Sequence, residues 1–126
     1  MKKISTRADS AESVEDLHVF RLAHRLAVAV YAATKNFPPH ERFGLASQLR
    51  RAASSVPSNL VEGAGRLGRS EYRHFVGIAR GSANETRYQV LLARDLGYLG
   101  AESCEQLRGD YARVCQMLTR LAQALS

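Results

Sequence analysis

Two carboxylates, Glu62 and Glu85, are the side chains of this sequence best suited to acid–base chemistry. Each falls in a run of polar residues at helical spacing. A pair of carboxylates could act as general acid and general base. The alternative, which we favour, is structural: each accepts hydrogen bonds from a neighbouring subunit or from polar side chains of the same bundle, namely Arg51, Asn59 and Ser82.

The histidines and cysteines show no pattern typical of a metal site or an activated nucleophile. No Glu-x-x-His motif occurs twice, so a di-iron bundle is not indicated. His24 is predicted to lie on the inner face of the first helix in a structural role. Cys104 and Cys115 are predicted to be buried small hydrophobic residues, too far apart along one helix to form a disulfide. We therefore predict no enzymatic activity, no metal and no cofactor.

A long helix from Gly44 to Arg66 carries most of these polar residues. One side of it is apolar and is predicted to pack in a core: Leu45, Leu49, Ala52, Val56 and Leu60. A polar stripe runs beside that side: Gln48, Arg51, Ser55, Asn59 and Glu62. The stripe is either a solvated flank or a set of groups that meet partners on another helix or another subunit.

Three further helices follow from the same periodicity. The first is predicted to begin with Ser13 as its N-cap, and His40 and Glu41 are predicted to open the second. The third extends from about Ser70 to Leu96 and has its own polar seam of Ser82, Glu85 and Gln89. A heptad seam from Cys104 to Leu125 marks the fourth.

Two glycines in the middle of the third helix, Gly77 and Gly81, stand four residues apart. Each costs about 1 kcal/mol relative to alanine, so a compensating role is expected. Because small residues let a neighbouring backbone come close, we predict a helix crossing or a subunit contact there.

Four long helices joined by short turns predict an all-α protein, an antiparallel up-down-up-down four-helix bundle. The seams of the second and third helices hold more specified polar groups than one small bundle needs, so we also expect a homo-oligomer. Residues 13–126 are predicted to form this single domain, and residues 1–12 a flexible N-terminal arm. No apolar run approaches the ~20 residues of a membrane span, and the first residues lack the apolar part of a secretory signal. We expect a cytoplasmic protein.

The chain is basic, with a formal net charge of +6 at pH 7 and more arginine than lysine. Such a surface raises the expectation of a polyanionic partner. The glycine-bearing turn at 63–70 and its neighbourhood are the densest basic patch, although a merely solvated turn is the alternative. The residues predicted to contact phosphate are Arg50, Arg66, Arg69, Arg73 and Arg80.

The segments GLASQLRRAASSVPSNLVEG, IARGSANE and LGYL resemble those of a small bacterial four-helix-bundle family. That family is named for proteins encoded in intervening sequences of 23S ribosomal RNA genes, and it includes the accessory variability protein of diversity-generating retroelements. The resemblance implies an antiparallel bundle, often a homopentamer. It also implies, for the retroelement members, association with nucleic acid and with a reverse transcriptase.

Two functions are therefore expected. The first is a non-catalytic oligomeric bundle that binds the RNA or DNA backbone or serves as an adaptor for a nucleic-acid enzyme such as a reverse transcriptase. The second is a protein–protein scaffold with an acidic protein partner. In both cases we assign assembly to the motif residues Gln48, Arg51, Ser55, Asn59, Glu62, Gly63, Gly77, Gly81, Ser82 and Glu85.

Overall fold

A computed structural model of the chain describes residues 14, 15 and 17–126, and its architecture is all-helical. Its four long α-helices are α1 (His18–Thr34), α2 (Leu45–Ala64), α3 (Arg69–Asp95) and α4 (Ala101–Ala124). A 3-10 helix, Pro39–Glu41, lies between α1 and α2. The described residues contain no strand. The predicted arm, residues 1–12, and the predicted cap Ser13 lie outside the described residues.

Each helix packs against its neighbours in the chain, and α1 also meets α4, so the four helices form a closed ring. The diagonal pairs α1–α3 and α2–α4 do not come into contact. Contacts across the α2/α3 and α3/α4 seams pair early residues of one helix with late residues of the next, as antiparallel packing requires. The predicted four-helix packing is confirmed. Contact is most extensive between α3 and its two neighbours and sparsest between α1 and α4.

The core contains the predicted apolar stripes of α2, α3 and α4. All five predicted core residues of α2 are buried, and Val76, Ala79, Ala83 and Val90 of α3 are buried with them. The heptad seam of α4 is buried from Cys104 to Leu118, and both cysteines are free thiols inside the protein, as predicted. Burying a side chain of the size of Leu49 or Leu60 contributes about 1.5–3 kcal/mol, and so these stripes hold the bundle together.

The prediction for His24 is wrong, because the inner face of α1 is centred on Leu26 and Val30 instead. Successive helical residues are about 100° apart, so His24 lies about 200° around the helix from Leu26 and reaches the surface. Its ring stacks on Phe20, with centroids 6.3 Å apart and ring planes 2° from parallel.

The long helix α1 begins at His18, with Leu17 in extended conformation before it. Val14 and Glu15 are helical as well, so the described residues do not test the predicted start at Ser13 but show a break at Leu17. The predicted start of the second helix is wrong. His40 and Glu41 belong to the 3-10 helix that follows Pro38, and α2 begins only at Leu45. Glu41 nevertheless caps α2 from outside, because its Oε1 accepts the backbone N–H of Leu45 at 3.0 Å.

The helix α3 starts at Arg69 rather than at Ser70, with Gly68 as its N-cap. It ends as predicted at a glycine: Gly97 has φ = 82°. The amide N–H of Gly97 donates to Arg94 O and that of Tyr98 to Ala93 O, which is the bond pair of a Schellman motif. This turn carries Tyr98 to the start of α2, where its hydroxyl donates to Glu41 Oε2 at 2.9 Å.

Helices α2 and α3 approach each other closely at Gly63. A Cβ atom placed on Gly63 would stand 2.7 Å from Phe75 Cβ and 3.1 Å from Tyr72 Cδ1. Only glycine therefore allows the two helices to approach at this distance. No described helix is both long and apolar enough to cross a membrane.

Candidate functional site

The polar residues of α2 and α3 face each other across one groove. A cavity of about 440 Å³ is lined by Gln48, Arg51, Ala52, Ser55, Ser82 and Glu85. The hydroxyl oxygens of Ser55 and Ser82 are 2.9 Å apart across it. Gln89 is buried beside it, and its amide Nε2 donates to Gln48 Oε1 at 3.4 Å and to Glu85 Oε2 at 3.3 Å. The facing polar residues of α2 and α3 therefore pair in part within the bundle. Gln48, Arg51 and Glu85 remain exposed, although Gln48 and Glu85 accept from Gln89.

The other end of the α2 stripe does not join this groove. Asn59 turns back on its own helix, with Nδ2 at 2.8 Å from both Ser55 O and Ser55 Oγ. Glu62 accepts from Arg66 at 2.8 Å, one turn along the chain. Among the described residues, Glu85 accepts from Gln89, so Arg51, Asn59 and Ser82 are not the hydrogen-bond partners of either glutamate. Hydrogen bonds from a neighbouring subunit remain a prediction.

Glu62 and Glu85 are too far apart to act on one substrate atom. Ser55 is level with Ser82, so Glu85 is level with about residue 52 of α2. Glu62 lies ten residues beyond that point, which corresponds to about 15 Å along the helix axis. The acid–base pair considered from the sequence is not assembled within this chain.

Gly77 and Gly81 lie on the exposed surface of α3. A Cβ atom at either position would meet nothing within 4 Å. The predicted helix crossing at these glycines is therefore wrong within the chain, and only the subunit contact remains as a prediction. Two exposed apolar side chains, Ile78 and Tyr88, lie on the same part of the surface. We call these four residues the α3 outer face.

Of the five arginines predicted to contact phosphate, one lies far from the others and a second is paired with carboxylates. Arg50 binds the end of α1, since its Nε donates to Thr34 Oγ1 at 2.7 Å and its guanidinium lies 4.9 Å from the centre of the Tyr31 ring. It lies fourteen residues before the end of α2, about 21 Å along the axis. Arg66 sits at that end, but it pairs with Glu62 at 2.8 Å and Glu71 at 3.8 Å and covers the Phe75 ring.

The other three share one side of α3, facing α4. Arg69 donates to the carbonyl oxygen of Ala124. Arg73 Nε donates to Ala122 O at 3.2 Å and to Ser126 Oγ at 3.1 Å, and Arg80 Nε donates to Thr119 Oγ1 at 2.9 Å. Arg69 and Arg73 therefore donate to carbonyl oxygens in the last turn of α4, where the helix dipole favours a cation.

Two further arginines, missed by the sequence reasoning, continue this line. Arg87 Nε donates to Arg108 O at 3.3 Å, and Arg108 Nε donates to Arg87 O at 3.2 Å. The signal in the sequence is the seven-residue spacing of Arg73, Arg80 and Arg87, which places them on one face of a helix. We call Arg69, Arg73, Arg80, Arg87 and Arg108 the arginine row.

None of the five side chains in the arginine row forms an ion pair with a carboxylate among the described residues. A guanidinium has five N–H donors, and each contact to α4 uses one or two of them. The row therefore presents positive charge without a carboxylate partner, together with spare donors, along the α3/α4 seam.

Cys115 lies under the row and is not an activated thiol. Its Sγ is 3.5 Å from Asn84 Oδ1. Burial raises the pKa of the Cys115 thiol, although the neighbouring charges of Arg80 and Arg87 oppose that shift. Across the described residues, no three histidine, cysteine, aspartate or glutamate side chains converge in a way that could hold a metal ion.

Helix α1 borders two further grooves. The one shared with α2 is mostly apolar, has a volume of about 450 Å³ and is lined in part by Phe20, Val28, Tyr31 and Pro57. The one shared with α4 has about 360 Å³ and is lined in part by Arg25 and Arg113. Arg113 therefore faces away from the arginine row.

The fold and these surfaces define a small basic four-helix bundle. The sequence matches the 23S rRNA-intervening sequence protein family over residues 15–120. The chain belongs to that family, as the resemblance of its motifs indicated.

Among solved structures, the chain is similar to a protein of unknown function from the S23 ribosomal protein family of Bacteroides thetaiotaomicron. The TM-score is 0.77 and the sequence identity 23%, over 83% of this chain and 95% of that one. At this identity the likeness establishes the fold alone. Curated protein sequences show no significant match to the chain.

Proposed function

We propose that this protein binds the sugar–phosphate backbone of nucleic acid through the arginine row. The observation that carries the proposal is a line of five guanidinium groups over one helix seam with no carboxylate partner among the described residues. Elsewhere on the surface, Arg66 and Arg94 are neutralised by nearby carboxylates. Arginine suits phosphate because its planar fork can donate two hydrogen bonds to one anionic group.

The spacing within the row suits a repeating polyanion. Arg73, Arg80 and Arg87 follow one another at seven residues, or about 10.5 Å along the helix. A duplex carries one phosphate for about every 1.7 Å of its axis, counted over both strands, so a row of this length faces several phosphates. Such contacts position a protein on a nucleic acid without reading its sequence.

The row keeps three of the five arginines predicted from the sequence and adds two. Arg66 is left out of the proposed interface because it pairs with Glu62 and Glu71, and Arg50 because it lies far from the row. No exposed aromatic side chain belongs to the row, so we expect recognition of backbone and shape rather than stacking of single bases.

Assembly into a homo-oligomer is part of the proposal, with the α3 outer face as the contact. Mid-helix glycines with empty surroundings and exposed Ile78 and Tyr88 are suited to close packing against another helix. The number five rests on the family resemblance alone. Several copies would bring several arginine rows to one nucleic acid, which raises the apparent affinity without new contacts.

A protein scaffold is the second candidate, and the apolar groove between α1 and α2 favours it. Val28 and Tyr31 are 57% and 45% exposed there, and apolar surface of this kind is suited to another protein. An acidic protein partner would then use the arginine row in place of nucleic acid. An adaptor that holds a nucleic-acid enzyme on its template would use both surfaces.

The test is the affinity for a fluorescent RNA duplex and a DNA duplex at low salt, measured by anisotropy on nuclease-treated protein. Arg73→Gln/Arg80→Gln should weaken binding about 10-fold or more. The charge-matched control Arg25→Gln/Arg113→Gln removes two positive charges from the α1/α4 groove and should change affinity much less. Equal losses in both variants would show that net charge, and not the row, binds the duplex.

Light scattering tests the assembly. Gly81→Leu should disrupt the oligomer, because the new side chain fills the space that a neighbouring helix would occupy. Gly109→Leu changes an exposed glycine of α4 that also has nothing within 4 Å, and it should leave the mass unchanged. A wild-type protein that is monomeric at micromolar concentration would refute the assembly.

A further inference from the structure

The crossing of Arg87 and Arg108 is the least expected feature of the arginine row. Each Nε donates to the backbone carbonyl oxygen of the other residue, at 3.3 Å and 3.2 Å. This reciprocal bonding holds each guanidinium group against the backbone of the other residue, so two positive charges lie at the same level of the α3/α4 seam. Both side chains are half-buried, so water screens their repulsion less than it would at an open surface.

The repulsion is not relieved by any carboxylate within salt-bridge distance in the part of the chain that the structure describes. The four Nη–H donors of each guanidinium also have no acceptor there. The two guanidinium groups are held in place, carry positive charge and have free N–H donors. An anion with several oxygen atoms would stabilise this arrangement.

A cavity of about 700 Å³ opens beside the pair. Arg87 and Arg108 line it together with Arg94, and Glu102 and Glu105 line it as well. Arg94 is engaged by Asp95, with Nη2 at 2.9 Å from Oδ1, and so Arg87 and Arg108 are the available cations. The volume lies within the range of about 300–1,000 Å³ typical of small-molecule sites.

We infer that the Arg87–Arg108 pair binds a dianionic phosphate monoester, carried by a mononucleotide or by the end of a nucleic-acid strand. A monoester offers three terminal oxygens and about −1.5 to −2 charges at pH 7, which matches two forks and two positive charges. A diester in the middle of a strand carries one charge and two such oxygens, and it matches the pair less well.

The carboxylates in the cavity support a nucleotide over inorganic phosphate. Glu102 and Glu105 would repel a second phosphate, but they are acceptors for hydroxyl and amino groups. A ribose or a base attached to the phosphate supplies such donors. The strand end as the source of the monoester rests on the proposed function; the mononucleotide does not.

Calorimetry with adenosine 5′-monophosphate tests the site, with adenosine and the methyl ester of the same nucleotide as ligand controls. The monophosphate should bind, the singly charged methyl ester more weakly, and adenosine not measurably. Arg87→Gln and Arg108→Gln should each weaken binding about 10-fold or more. Arg113→Gln, which removes the same charge from α4 outside the cavity, should leave it unchanged.

Arg108→Lys is the control for misfolding, because lysine retains the positive charge but lacks the planar guanidinium group that can donate two hydrogen bonds to one anion. Its melting temperature should equal that of the wild type while the affinity stays reduced. No binding of the monophosphate, or equal binding of the methyl ester, would overturn the inference.

Oligonucleotides with and without a 5′-phosphate separate the two sources. Tighter binding of the phosphorylated strand, lost in Arg87→Gln, would support the strand end. If both oligonucleotides bind equally well in a salt-sensitive way and the monophosphate does not bind, the phosphate-monoester site is overturned and the proposed function stands. Monophosphate binding with no binding of any oligonucleotide would support the site and overturn the proposed function.

Discussion

The hydroxyl oxygens of Ser55 and Ser82 lie 2.9 Å apart and join α2 to α3 beneath the polar groove. Ser55 Oγ also accepts from Asn59 Nδ2 at 2.8 Å, so the bond belongs to a small network rather than to an isolated pair. Networks of this kind fix the register of two helices, because sliding one past the other would leave several polar groups without partners.

The stability losses caused by removing the two serine hydroxyls should therefore not be additive. Ser55→Ala and Ser82→Ala should each lower the free energy of unfolding by about 1 kcal/mol. The double variant should lose less than the sum of the two, with a coupling of at least about 0.5 kcal/mol. Urea unfolding at one fixed protein concentration measures all four proteins, and strictly additive losses would refute the network.

Gly63 should tolerate no side chain. Gly63→Ala places a Cβ atom 2.7 Å from Phe75 Cβ, so α2 and α3 must separate, and we expect a loss of about 1–3 kcal/mol. Gly109→Ala is the matched control, because its Cβ meets nothing within 4 Å and helix propensity should raise stability by up to about 1 kcal/mol. Thermal unfolding of both variants decides the matter, and a stabilised Gly63→Ala would contradict the close crossing.

Tyr111 is fully buried, and its hydroxyl has no hydrogen-bond partner among the described residues. The same burial raises the pKa of this phenol. Tyr111→Phe removes an unsatisfied polar atom and keeps the ring, so the variant should be more stable by about 1 kcal/mol or more. Chemical unfolding of the two proteins tests this, and a clear loss of stability would show that the hydroxyl has a partner in solution.

Glu41 should make stability depend on acid pH. The backbone N–H of Leu45 and the hydroxyl of Tyr98 hold the pKa of this carboxyl below its ordinary value of 4.5. Its contribution is therefore complete above that ordinary value and is lost as the pH falls through the lower value of the folded state. Glu41→Gln should narrow the stability difference between pH 6 and pH 3, and an unchanged difference would contradict the capping role.

Much of the fold could be predicted because apolar periodicity is a local property of the sequence. The stripes of α2 and α4 are buried as expected, and Gly97 ends α3 as expected. The failures lie where a tertiary contact overrides a local signal. Glu41 was expected inside α2, yet it caps that helix from a separate turn, and the register of α1 places His24 outside.

The candidate site was harder to predict, because charge in a sequence does not show which cations are already neutralised. Arg66 looks as basic as Arg80 in the sequence, but Glu62 and Glu71 pair with it in the folded chain. Arg50 is excluded by its position, because it binds the end of α1. Arg108 gave no signal at all, because its partner Arg87 is twenty-one residues away in the chain. Only the antiparallel packing of α3 and α4 brings the two together.

The salt dependence of duplex binding tests the central claim most directly. For wild-type protein, the logarithm of the affinity should fall linearly with the logarithm of salt concentration, with a slope of about −0.9 for each phosphate neutralised. In Arg73→Gln/Arg80→Gln the slope should become shallower by nearly two, because two phosphate contacts are lost. An unchanged slope in that variant, or no binding by the wild type at about 50 mM salt, would contradict the arginine row as a nucleic-acid interface.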